Sequence, residues 1–113
     1  MMFTDTLTHE SVYRMPDKIP AIKGGVEKLI EEFKKLKYPP NKTSMPKDAE
    51  VAFIIDANGK LSGKRIVKNI QGTDVAKQML LLIDNVKWVP AICNNENVPF
   101  LYTIPFRING KQK

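Results

Sequence analysis

"VPFLYTIPFRI", residues 98–108, alternates Phe100, Tyr102, Ile104, Phe106 and Ile108 with Leu101, Thr103, Pro105 and Arg107. Alternate residues of a strand face opposite sides of a sheet, so the first set predicts a core-facing row and the second a mixed one. Pro99 and Pro105 have no N–H to give a ladder, which restricts such a strand to a sheet edge. The two prolines share parity, so both nitrogens turn to the same side, and only the side away from the neighbouring strand tolerates them. The backbone groups of Leu101 and Thr103 then stay available on that open side. An edge bracketed by proline discourages indiscriminate pairing, yet it can still accept one extended peptide.

The upstream chain supplies the rest of the sheet. "AEVAFIID", then "ANGK" and "LSGKRIVKNI", predicts two antiparallel strands over about 49–56 and 60–69, with Asn58-Gly59 at the turn. The first is near-continuously apolar and reads as central; the second, with Ser62, Lys64 and Lys68, lies nearer an edge. Val26, Leu29, Ile30, Phe33 and Leu36 recur at helical spacing from Gly24 onward, and "KKLK" followed by "YPP" closes that helix. A second helix follows from Val75, Met79, Leu82, Ile83 and Val86, with Thr73 or Asp74 as its cap. A helical crossover makes the third strand parallel to the second and antiparallel to the first. The fold class is therefore α+β, in the order α-β-β-α-β with strand order 2-1-3. Residues 1–23 form a partly extended N-terminal arm, 24–108 the domain and 109–113 a basic tail. "NNEN" before the last strand is a turn, with Asn94 and Asn95 tolerant of left-handed angles.

Composition narrows the function classes. The chain has 113 residues and a formal net charge of +6, from 18 Lys and Arg against 12 Asp and Glu. That excess is mostly lysine spread along the chain, and only Arg14, Arg65 and Arg107 offer the forked donors that read guanine, which argues against specific nucleic-acid binding. Catalysis finds little material. His9 is the sole histidine and sits in the arm, and Cys93 is the sole cysteine, with no base at suggestive spacing. Gly24-Gly25 reads as a chain turn rather than an anion site. The sequence thus points to a protein that is not an enzyme, has no metal or cofactor, and binds a protein or peptide. No run of about 18 apolar residues suits a membrane span, so any anchor lies outside this chain.

The ordered succession of "VYRMPDKIPAIKGG", "KYP", "FIIDANGK", "KWVPA" and "VPFLYTIPFRI" from Val12 to Ile108 resembles the C-terminal domain of TonB-type energy transducers. Tyr38 and Pro39 match that family's Tyr-Pro, Asp56 and Gly59 its hairpin, and Trp88 and Pro90 its Trp-x-Pro. The chain departs at Lys42, where alanine is usual, in a shorter loop before the first strand, and at Asn95, where glycine is common. The resemblance implies two helices on one face of a three-stranded antiparallel sheet. It also implies a periplasmic domain of an inner-membrane-anchored parent, whose last strand pairs with a short N-terminal segment of an outer-membrane transporter. Pro99, Leu101, Tyr102, Thr103, Ile104, Pro105 and Arg107 would then form the partner-binding edge. By chemistry alone, Trp88 and Pro90 read as a packed ring and a rigid turn, and Tyr38 as a plug at the helix end. The alternative is a free-standing periplasmic adaptor or sensory module of the same fold, binding another protein or forming a homodimer through the edge.

Overall fold

A computed structural model describes residues 16–110 in full and the backbone of 2–4 and 11–13. His9 and Arg14 lie outside the described residues, as does most of the predicted basic tail. The elements are β1 (Met2–Thr4), β2 (Ser11–Tyr13), β3 (Ala21–Ile22), α1 (Glu27–Phe33), β4 (Lys47–Ile55), β5 (Leu61–Lys68), α2 (Val75–Leu82), β6 (Trp88–Val89), β7 (Ala91–Cys93), β8 (Glu96–Val98) and β9 (Phe100–Ile108). A single 3-10 turn, Ile83–Asn85, extends α2.

The class is α+β, as expected. β5, β4 and β9 lie side by side, each pair antiparallel, in the order read from the sequence. The sheet is larger than three strands, however: its order is β1-β2-β9-β4-β5. β2 joins β9 in parallel through Tyr13 and Phe100, so the last long strand is not the outermost one. The reason is the same one that made β9 an edge candidate. A row of unused backbone groups accepts whichever extended segment reaches it, and the arm's "SVY" does so. Further along the arm, Ala21 and Ile22 pair with Val89 and Trp88, and Lys18 bridges to Ile92.

One core cluster holds these elements together. Ala49, Val51, Phe53 and Ile55, alternate residues of one face of β4, are buried with Leu29 of α1, Val75, Ala76 and Met79 of α2, Ile83 and Ile104. Ala52 and Ile54 are buried too, so β4 reads as an unbroken apolar run from Val51 to Ile55 because neither face meets water there.

The hairpin turn differs from the predicted tight two-residue form. Only Gly59 has a positive φ, +82°, while Asp56 and Lys60 remain bonded to each other through Asp56 N and Lys60 O at 2.9 Å. This is a three-residue loop with glycine in the left-handed position. Asp56 Oδ1 accepts hydrogen bonds from the amides of Asn58 (2.8 Å) and Lys60 (2.9 Å), which stabilises the longer turn. The tight turn occurs instead at Asn94 (φ 52°) and Asn95 (φ 63°), between β7 and β8. These two short strands come before the main one, and Pro99 sits in the break between β8 and β9 rather than inside a strand.

α1 is shorter than its periodicity predicts. Beyond Phe33 the bonds tighten to Lys35 N–Glu32 O and Leu36 N–Phe33 O, and Gln78 of α2 then takes both backbone groups of Lys37. Gln78 accepts from the Lys37 amide at 2.8 Å and donates to its carbonyl at 2.6 Å, so the chain leaves the helix before "YPP".

Candidate functional site: the β9 edge and its apolar cleft

β9 runs in continuous antiparallel register with β4, from Ile55–Phe100 to Lys47–Ile108, with Glu50 opposite Pro105. Pro105 has no N–H, so this is a position where the two strands do not exchange bonds. Alternation gives Leu101 and Thr103 the same orientation, with their backbone groups turned away from β4. Among the described residues, only Phe100 is paired on that outer side, and no strand pairs with Leu101–Ile108 there. Among the described residues the edge is thus occupied at Phe100, where the parallel bridge to Tyr13 takes the outward N–H of Leu101, and no further strand covers it.

The predicted edge residues divide by role. Thr103, Pro105 and Arg107 are exposed on the face away from the helices. Tyr102 and Ile104 turn into the core: the Tyr102 ring lies 5.8 Å from Phe53 and 5.4 Å from Trp88, and Ile104 is buried. Their side chains position the strand, and their backbone groups face β4, so neither offers a group to the outer edge. Arg107 donates to both carboxylate oxygens of Asp48, at 2.7 and 3.3 Å, directly across the β4–β9 ladder. The Arg107 hydrogen bond holds the Asp48 carboxyl below the ordinary aspartate value, with Lys68 adding attraction from the β5 side.

Trp88, Pro90, Asp56 and Gly59 form a structural group. Trp88 is 7% exposed, donates from Nε1 to Ile83 O at 3.0 Å, and stacks edge-on against Phe53 at 5.2 Å. A β-carbon placed on Gly59 would come within 2.5 Å of Trp88 O and 3.8 Å of Pro90 Cδ. The hairpin and the Trp-x-Pro segment are therefore packed backbone to backbone. At the other end, the Tyr38 ring meets Phe106 at 5.8 Å, as a plug at the helix end should, and Pro39 follows in an exposed loop.

The sequence did not reveal the cleft beside this edge. It measures about 460 Å³. Leu29, Ile30, Phe33 and Lys34 of α1 and its C-terminal turn form one wall, Leu36 and Tyr38 the end, and Ile104, Pro105 and Phe106 of β9 the other wall. Ile30, read from its spacing as a core residue, is 52% exposed, and Val26 is 56% exposed. The apolar stripe of α1 is wider than the surface that covers it, for Leu29 and Leu36 are buried while Val26 and Ile30 face outward.

Among the described residues, no group of three or more His, Cys, Asp or Glu side chains is placed to hold a metal. Cys93 is free and half-buried beside the β7–β8 turn. Among the described residues, no helix is long and apolar enough to cross a membrane. The chain matches no family model, and no curated protein matches it.

Proposed function

We propose that this protein is a peptide-docking domain that takes an extended segment of a partner protein along β9. Thr103 and Arg107 offer outward backbone groups beyond the bridge to β2, and the cleft beside Ile104–Phe106 receives side chains. The observation that carries this reading is an open stretch of edge lying directly against an uncovered apolar cleft. Strand addition draws affinity from the main chain and specificity from pockets that take alternate side chains, and both parts lie side by side here. β2 supports the reading from another direction, since the same edge already accepts an extended segment at Phe100.

The resemblance to the TonB C-terminal domain gives this docking a biological form. In that form two helices lie over β5-β4-β9, with the later strand presented to an N-terminal segment of an outer-membrane transporter. The domain would sit in the periplasm on an inner-membrane-anchored parent and transmit pulling force to the transporter. A free-standing adaptor would use the same edge on a different partner or on a second copy. An anchor and proline-rich spacer in the parent gene favour the transducer, and a lone secretion signal favours the adaptor.

Titration with synthetic peptides copying transporter N-terminal segments tests the docking. Amide shifts should concentrate at Leu101–Arg107 and around Ile30 and Phe33. Thr103→Pro, which removes an outward N–H, should weaken binding by roughly tenfold, about 1.4 kcal/mol, while the far-ultraviolet spectrum is retained. Shifts confined to the exposed face of α2 would count against the edge.

A further inference from the structure

Resting on the edge-docking reading, we infer that the cleft between α1 and β9 selects the partner's sequence: it takes one large apolar side chain of an extended peptide, and the Lys34 ammonium selects a carboxylate beside it. The cleft shares a wall with the edge. Ile104 and Phe106 project from β9 toward the helices, so a strand added outside β9 places every second side chain over the same space. A volume of about 460 Å³ is ample for an aromatic or branched aliphatic group. Exposed Ile30 is apolar surface that such a group would cover.

Charge defines the second half of the recognition. Among the described residues, Lys34 is the only charged one lining the cleft. Two other cations nearby are already engaged, Lys35 with Glu32 at 3.0 Å and Arg107 with Asp48 at 2.7 Å, and Lys37, between Leu36 and Tyr38, does not line the cleft. Among the described residues Lys34 has no ion pair, although Glu31 is one turn away on the same helix. A lone cation on the rim of an apolar cleft complements one carboxylate next to one apolar side chain. It does not suit a polyanion, which needs several cations along a track. The occupant that fits is therefore an acidic peptide of another protein.

Selection from random twelve-residue peptides displayed on phage tests this, run against the whole chain and against Lys34→Glu and Thr103→Pro. The whole chain should enrich an aromatic or large aliphatic residue next to Asp or Glu. Lys34→Glu should keep the apolar preference and exchange the acid for Lys or Arg. A synthetic copy of an enriched peptide should bind about three- to fivefold more weakly to Lys34→Glu, the range for an exposed pair. Ile30→Glu, which removes the apolar wall and engages Lys34, should weaken it by about tenfold or more. An identical charge preference in Lys34→Glu and the unaltered chain overturns the inference and leaves the edge reading standing, provided Thr103→Pro loses the peptides. Equal enrichment by folded Thr103→Pro, or none by the whole chain, overturns both.

Discussion

Gly59 carries a constraint out of proportion to its size. Its φ of +82° disfavours any β-carbon, and the Trp88 carbonyl already occupies the space where one would go. Gly59→Ala should therefore destabilise the protein by about 1–3 kcal/mol, combining left-handed strain with displacement of the Trp88 backbone. Chemical denaturation should show the loss, and Asn58→Ala, at a position without positive φ, should cost less. Asp48 offers a different residue-scale test. Its folded-state value is depressed by the Arg107 hydrogen bond, so the stability it contributes is fully present above the ordinary aspartate value of 3.8. That contribution is lost as pH falls through the lower folded value. Asp48→Asn should flatten the acid limb of a stability–pH profile below about pH 4 and leave the shape near neutrality unchanged. A profile identical to the parent's in that acid window would show that the pair does not act as described.

At the scale of elements, the end of α1 depends on α2. Gln78 brackets the Lys37 backbone, and this clamp holds Leu36 and Tyr38 at the end of the cleft. Gln78→Ala should cost about 0.5–1.5 kcal/mol and speed amide exchange at Lys37 with little effect in β4. Unchanged exchange at Lys37 would mean that the helix end is set elsewhere. The start of α2 shows how capping is shared: Thr73 Oγ1 accepts from Val75 N at 3.3 Å and Asn69 Oδ1 from Ala76 N at 3.2 Å, seven residues along the chain. The sequence offered Thr73 or Asp74 by type and position; Asp74 is the N-cap residue by its backbone, and the Thr73 hydroxyl makes the contact. Asn69 could not be identified that way, because it reaches the helix only after β5 turns back. The apolar run of β4, the mixed run of β9 and the two asparagine angles were legible because each rests on local periodicity or local backbone preference. The longer hairpin loop was less so, since Asp56 and the packed Trp88 backbone together favour it over a tight Asn-Gly turn.

For the whole molecule, one buried cluster draws on α1, α2, β4, β6 and β9, and Trp88 lies within it. The chain should unfold in a single transition, with fluorescence of its one tryptophan and far-ultraviolet circular dichroism coinciding across a denaturant titration. Separated midpoints would show that part of the structure melts independently. Sequence alone determined the α+β class, the antiparallel neighbours β5-β4-β9 within what is a larger sheet, and the outward turn of Pro105, because periodicity, crossover direction and a missing N–H are properties of the chain itself. Tertiary structure alone decided that β2 covers Phe100 and that a cleft opens between α1 and β9. Both depend on which surfaces meet after packing: a strand's free groups and a helix's surplus apolar width have no partner encoded in their own spacing.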